Sequence, residues 1–227
     1  MDQDLRYELK AAVNGRYLPN VRNWLRLHPE GFRTAYPSRR VNSLYFDTPE
    51  LDAFNENLMG VSQRRKLRLR WYSNLDSGAP QIVSPTLELK FKDNLVGGKK
   101  RISLPLTLDL TQPCPALVQQ VRQAVPSAWQ DLLSMVSQPT LLNSYQRDYF
   151  VTPDNAIRAT LDYQQVAYDQ RLGRVPNVKR PLPLENLLVI EIKSDLTQEE
   201  RLEEIMAYFP VPRSRNSKYA NGVLAAL

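Results

Sequence analysis

Five short segments of this chain carry charged or polar residues at i, i+2 around an apolar one. They are Glu8-Leu9-Lys10, Lys66-Leu67-Arg68-Leu69-Arg70, Glu88-Leu89-Lys90-Phe91-Lys92, Arg158-Ala159-Thr160-Leu161-Asp162 and Glu191-Ile192-Lys193. A β-strand sends alternate side chains to opposite faces, so each segment has one apolar face and one charged face. Side by side, such strands merge their charged faces into a surface of Arg and Lys that suits a polyanion, and the glutamates on it can hold a metal. One charged strand face alone means little, because exposed strand faces are normally polar. Such faces usually carry Thr, Ser and Gln with mixed signs, whereas here the basic residues dominate. Like charges opposite one another across strands cost about 0.2–1 kcal/mol per pair. A basic sheet face therefore needs an anionic ligand or interleaved acids.

The elements that must position these residues follow from periodicity and punctuation. Strands are expected at Tyr7–Val13, Val41–Thr48, Arg65–Tyr72, Thr86–Lys92, Arg101–Leu106, Ser144–Val151, Ala156–Ala167 and Leu187–Lys193. Helices are expected over Asn20–Leu27, ending before Pro29, and over Leu51–Leu58, with Gly60 as its C-terminal glycine. Further helical patches lie in 115–136, broken at Pro126, and at Ser217–Leu227. A helix opening at Thr197, in capping-box register with Glu200, runs to Tyr208. Gly97-Gly98 reads as the turn of one hairpin, and Thr152-Pro153-Asp154-Asn155 as that of another. Gly97-Gly98-Lys99-Lys100 lacks the spacing and the strand-to-helix setting of a phosphate loop. The fold class is α+β, built on a large antiparallel sheet. Closure into a barrel, with charged faces inward and helices on the apolar outside, would satisfy both faces.

Composition narrows the chemistry. The chain has 227 residues, a length suited to one domain over 1–227, and 42% hydrophobic residues support an ordinary core. The net charge of +6 favours an acidic partner. With one Cys (Cys114) and one His (His28), an internal disulfide and Cys/His zinc sites are excluded. His28 sits in a Leu-His-Pro stretch typical of a helix end rather than a catalytic centre. No signal peptide and no apolar run of membrane-spanning length is evident, so a cytoplasmic location is expected. General nucleic-acid binding is disfavoured, because Trp71 alternates with Arg70 and belongs to the apolar face, leaving no evident stacking platform.

Taken in order, Glu8-Leu9-Lys10, Ser43-Leu44-Tyr45-Phe46-Asp47-Thr48, Arg65-Lys66-Leu67-Arg68-Leu69-Arg70-Trp71-Tyr72, Leu87-Glu88-Leu89-Lys90, Tyr145-Gln146-Arg147, Ile157-Arg158-Ala159-Thr160-Leu161-Asp162, Val189-Ile190-Glu191-Ile192-Lys193 and Ser217-Lys218-Tyr219 resemble the VTC (vacuolar transporter chaperone) domain. That domain belongs to the triphosphate tunnel metalloenzymes, or CYTH-like superfamily. The resemblance implies an eight-stranded antiparallel tunnel, closed as a barrel, with a basic interior and helices packed outside. It implies phosphate contacts from Lys10, Arg68, Arg70, Lys90, Arg147, Arg158, Arg215 and Lys218, with Ser217 as a hydrogen-bond donor beside the phosphate. Lys193 joins them as a cation of the same strand pattern. Glu191 is the leading ligand for Mn²⁺ or Mg²⁺; Glu8 and Glu88 either assist it or pair with neighbouring lysines. Where the family usually carries a basic residue ahead of Arg68, this chain has Glu56-Asn57.

The implied activity is transfer of the terminal phosphate of ATP to a growing polyphosphate chain. A triphosphatase acting on inorganic triphosphate or nucleoside triphosphates is the alternative on the same fold. A non-catalytic module that binds polyphosphate or nucleotide is the alternative of a different class.

Overall fold

A computed structural model of the chain describes residues 6–72, 81–93, 96–209, 211–214 and 216–227. In order, its elements are β1 (Arg6–Asn14), α1 (Leu18–Leu27), β2 (Arg33–Asp47), α2 (Asp52–Leu58), β3 (Arg64–Tyr72), β4 (Gln81–Val83), β5 (Thr86–Asp93), β6 (Val96–Ser103), β7 (Thr107–Asp109), α3 (Cys114–Gln123), α4 (Ser127–Met135), β8 (Gln138–Val151), β9 (Ile157–Asp169), β10 (Leu187–Asp195), α5 (Glu199–Ala207) and α6 (Lys218–Leu224). Among the described residues, no helix is long and apolar enough to cross a membrane.

The class is α+β, as expected, and eight strands hydrogen-bond in the order β1-β10-β9-β8-β2-β3-β5-β6. Closure is the expectation that fails: the sheet is open, with β1 and β6 as its end strands. Both ends have a physical reason not to join. The backbone of β1 bonds elsewhere, Ser214 N–H donating to the Lys10 carbonyl at 3.0 Å and Ala12 N–H to Ser214 Oγ at 2.8 Å. β6 carries Lys99-Lys100-Arg101, and a lysine-rich edge resists further pairing. A separate two-stranded ladder, β4 with β7, escaped the sequence reading because three residues are too few to show alternation.

The chain divides into two compact units. The first holds the residues up to Arg40 together with Tyr145–Gln165 and Glu185–Ser217. Its apolar core joins Ala11, Ile157, Ala159, Leu161, Leu188, Ile190 and Ile192 of β1, β9 and β10 to Val21 and Leu25 of α1 and Leu202 and Ile205 of α5. The second holds Val41–Ser144, Val166–Leu184 and Lys218–Leu227. There Leu67, Leu69 and Trp71 of β3 and Leu87 of β5 pack on Leu117 and Val121 of α3 and Leu133 of α4. In both units the apolar positions of the i, i+2 segments face helices, which leaves the charged positions on the other face. Trp71 is 1% exposed and lies on the apolar side, as its register with Arg70 requires.

Several boundaries move for local reasons. Gly97 and Gly98 are not a turn: they pair with Lys92 and Phe91 inside the β5–β6 ladder. A Cβ on Gly98 would fall 2.3 Å from the Phe91 ring, so glycine here serves close packing. Thr197 lies in a 3-10 turn ahead of α5, whose N-cap is Gln198, so the expected capping box does not form. β2 begins at Arg33, well before Val41, and β8 at Gln138, before Ser144. The break at Pro126 is found, with Pro126 as the N-cap of α4. Gly60 follows α2 at φ 70°, a left-handed conformation that glycine adopts without strain. The hairpin at Thr152–Asn155 also forms; Thr152 Oγ1 accepts from Ile157 N–H at 3.1 Å.

One buried carboxylate organises the second unit's α2 and α6. Asp47, 0% exposed, accepts from the N–H groups of Thr48 (2.8 Å), Ala53 (2.9 Å) and Phe54 (3.1 Å), and from the Tyr219 hydroxyl. Burial, reinforced by this bond, raises the Tyr219 phenol far above its ordinary range. Asp47→Ala would strand these donors, and we expect a loss of about 3 kcal/mol in urea-unfolding stability. Tyr219→Phe removes one donor only and should cost about 1 kcal/mol. Equal effects in the two variants would show that the backbone bonds to Asp47 contribute nothing.

Candidate functional site

In the first unit the charged faces of β1, β10 and β9 align in ranks. Glu8, Lys193 and Arg158 stand opposite one another, and the next rank is Lys10, Glu191 and Thr160. Between β1 and β10 the signs alternate, whereas Arg158 of β9 sets a second cation opposite Lys193. Lys10 Nζ lies 3.1 Å from Glu8 and 2.9 Å from Glu191; Lys193 Nζ lies 2.9 Å from Glu191 and 3.5 Å from Glu8. The four side chains form a square in which every corner touches two opposite charges. Burial alone would lower the Lys10 ammonium, but Glu191 and Glu8 outweigh it and raise it well above the usual lysine range. Lys10 is therefore charged at every physiological pH.

Arg147 of β8 belongs to the same unit. Its Nε and Nη2 donate to the two oxygens of Asp162 at 2.5 and 2.6 Å, a fork on a carboxylate that is itself 0% exposed. Its guanidinium also stands 5.4 Å from the centre of the Tyr145 ring. Arg158 is exposed on β9, opposite Lys193. Ser217 is half-buried, three residues beyond Ser214, whose backbone bonds to Lys10. Arg215 lies outside the described residues.

The second unit holds the other group, on β3, β5 and β6. Arg68, Glu88 and Arg101 form one rank, and Lys66, Lys90 and Lys99 the next. Glu88 is 5% exposed and sits among cations: Arg68 Nε and Nη2 donate to it at 2.9 and 2.6 Å, with Lys99 at 3.5 Å and Arg70 at 4.0 Å. Burial pushes the Glu88 carboxyl up, but Arg68, Arg70 and Lys99 overcome it and hold it down at about 2. Arg68 Nη1 also donates to the Tyr45 hydroxyl at 3.3 Å, and the Tyr45 ring stacks on Tyr219 at 4.9 Å. Lys218, half-buried at the start of α6, precedes that tyrosine. Arg70 is 9% exposed, lies over the Tyr72 ring, and its buried Nε has no hydrogen-bond partner among the described residues.

The expected residues thus fall into two sets. Glu8, Lys10, Arg147, Arg158, Glu191, Lys193 and Ser217 lie in the first unit, while Arg68, Arg70, Glu88, Lys90 and Lys218 lie in the second. Lys99, Arg101, Tyr45 and Asp162 were not singled out from sequence. Lys99 and Arg101 show the same i, i+2 spacing as the other strands, a signal hidden once Gly97–Lys100 is read as a turn. Asp162 closes the segment that begins at Arg158, but nothing in the spacing ties it to Arg147. His28 is structural: it caps the C-terminus of α1, and its Nδ1 accepts from Glu30 N–H at 3.2 Å.

Among the described residues, no group of three or more His, Cys, Asp or Glu side chains is arranged to hold a metal. Mg²⁺ and Mn²⁺ need fewer, since one or two carboxylates with substrate phosphates suffice for Mg²⁺. Glu8 and Glu191 are such a pair, both in contact with Lys10 and Lys193. Glu88 has Arg68, Arg70 and Lys99 about it, and at Glu8 and Glu191 the two lysines would have to yield to a metal.

The depressed Glu88 carboxyl has a pH signature. Its folded value of about 2 lies below the ordinary 4.5, so the stabilisation is complete above 4.5 and fades as pH falls towards 2. The shift corresponds to about 3 kcal/mol. Glu88→Gln should therefore be less stable than wild type by about that much at pH 7, with the gap closing through this acid window. Urea unfolding of both proteins across that range measures it, and a gap independent of pH would mean that the carboxylate's charge is not what stabilises.

A Pyrococcus horikoshii OT3 protein of solved structure superposes with a TM-score of 0.50 at 16% identity, over 98% of this chain and 100% of its own. That likeness concerns the fold. A Vibrio parahaemolyticus protein named as a candidate adenylate cyclase follows at a TM-score of 0.48 and 14% identity, covering 95% of this chain and 96% of its own. A chain of the Schizosaccharomyces pombe Mediator head module reaches 0.42 at 12% identity, with 89% of each chain covered. No curated protein matches the sequence. The VTC domain model, in contrast, matches residues 3–227, essentially the whole length, and the chain belongs to the VTC domain family.

Proposed function

We propose that this chain is a metal-dependent phosphotransferase that moves the terminal phosphate of ATP onto a polyphosphate chain. The observation that carries this reading is the rank of Lys66, Lys90 and Lys99, three cations opposite one another with no acid in the rank. In the rank on one side Glu88 stands between Arg68 and Arg101, and in the rank on the other Arg64 faces Lys92. Lys99 reaches Glu88 at 3.5 Å, yet cations in register repel, and a polyanion laid across such ranks would offset that repulsion. Membership of the VTC domain family supports the same substrate class.

Phosphoryl transfer requires an in-line arrangement and compensation of charge on the non-bridging oxygens. In the second unit Arg68, with Nε and Nη2 on Glu88 and Nη1 on Tyr45, supplies a fixed positive charge, and Arg70, held beside Glu88 and over Tyr72, supplies a guanidinium donor. In the first unit, taken by itself, Lys10 and Lys193 act as point charges, held in place by Glu8 and Glu191 until phosphate oxygens arrive. Arg147 spends Nε and Nη2 on Asp162, so its Nη1 is the atom that reaches a phosphate. Glu191, assisted by Glu8, would hold Mn²⁺ or Mg²⁺, which when bound neutralises charge on the phosphate oxygens. Glu88 acts as a positioning residue for Arg68. No general base is needed in a polymerase, because an acceptor phosphate is already anionic.

Purified protein given ATP with Mn²⁺ or Mg²⁺ tests the proposal. Long-chain polyphosphate on a gel is expected. Orthophosphate alone would identify a triphosphatase, and tight anion binding without turnover under either metal would identify a binding module. Glu191→Gln keeps the side chain's volume and removes its charge. It should abolish turnover while leaving the far-UV circular dichroism and triphosphate binding intact; a variant with near-wild-type metal-dependent turnover would place the metal elsewhere.

Chain length offers an independent measure. Affinity should rise from orthophosphate to pyrophosphate to triphosphate, because each added phosphate reaches further cations at about 1.5–3 kcal/mol per charge-assisted bond. Calorimetry with the three ligands reads this directly, and equal affinities would contradict the reading.

A further inference from the structure

Resting on the reading of this protein as a nucleotide-dependent phosphotransferase, we infer that Tyr36, Arg39 and Tyr149 form the stacking site for the base of its nucleotide. The three side chains come together in the first unit, on the neighbouring strands β2 and β8. Tyr36 and Tyr149 meet edge to face, with ring centres 5.7 Å apart. The Arg39 guanidinium stands 5.2 Å from the centre of the Tyr36 ring and 5.9 Å from that of Tyr149. Tyr36 is 56% exposed and Arg39 is exposed, so the cluster faces solvent rather than a core.

Large aromatic surface in water gains nothing from burial, and here it is held in one arrangement. Tyr36 precedes Pro37, which confines it to extended backbone, and the guanidinium contacts both rings. The two rings stand nearly perpendicular, so a base would stack on the exposed Tyr36 ring beside the Arg39 guanidinium, both of which favour nucleobases. Its place in the chain supports the same ligand. Tyr149 follows Arg147 at i+2, so both leave β8 on the same face, about 7 Å apart along the strand. Arg147 is one of the phosphate-directed cations of this unit. A base on Tyr36 and Arg39 would thus lie a short step from phosphates at Arg147, with the sugar between them. Trp71 offers no such surface, being buried, which makes this exposed pair the stacking surface that the sequence alone did not reveal.

Calorimetry of ATP and of inorganic triphosphate, with EDTA present to prevent turnover, tests the assignment in wild type, Tyr36→Ala, Arg39→Ala and Tyr36→Phe. These positions are exposed, so the variants should fold, and circular dichroism checks it. Tyr36→Ala and Arg39→Ala should each weaken ATP about tenfold, within the range of base–aromatic stacking, and leave triphosphate unchanged. Tyr36→Phe, which keeps the ring, should retain ATP affinity. Loss of both ligands alike, or of neither, would overturn the stacking site while leaving the phosphate reading in place. Failure of the wild type to bind either ligand would overturn both.

Discussion

Crowding cations on one face of a sheet is the constraint around which this protein is organised. Strand alternation separates charged from apolar positions without cost, but it also brings like charges into register. The chain tolerates this by interleaving a small number of carboxylates at chosen points. Glu8 and Glu191 alternate with Lys10 and Lys193, Glu88 sits beneath Arg68, Arg70 and Lys99, and Asp162 holds Arg147. Each acid stabilises the cations around it and also fixes their rotamers. The result is a surface whose arginines and lysines are oriented before any ligand arrives, which lowers the entropy lost on binding.

The same carboxylates explain why the two faces of the strands behave so differently. On the apolar side, Leu67, Leu69, Trp71 and Leu87 meet α3 and α4, and Ile190 and Ile192 share a core with α1 and α5. That packing makes the strands rigid, and rigid strands hold the opposite face in register. The charged side needs such support. A bidentate pair such as Arg147 with Asp162 depends on geometry that a loose strand would not maintain.

Much of this was legible in the sequence because alternation is a local signal. The faces of β1, β3, β5, β9 and β10 follow from residue order alone, and so do the family and the α+β class. What sequence did not reveal depends on partners distant along the chain. Arg147 and Asp162 lie on different strands, and only the folded register shows that two donors of the arginine are engaged. At the β1 end of the open sheet Ser214 bonds to the strand's backbone, a contact between residues some two hundred apart. The β5–β6 hairpin misled for a different reason. Two glycines are normally read as a turn, yet Gly98 is small because the Phe91 ring lies against it. Reading a turn there set the start of the strand at Arg101 instead of Val96, which left Lys99 outside it and hid its i, i+2 spacing with Arg101.

The alternating square of Glu8, Lys10, Glu191 and Lys193 also constrains how this surface can evolve. Each corner contacts two neighbours of opposite sign. Reversing one charge converts both of its attractions into repulsions, whereas exchanging signs at all four corners restores every contact. Intermediate sequences along that route are the unfavourable ones. The four positions therefore drift as a block or not at all, and in related chains they should covary even where the rest of the strand faces diverge.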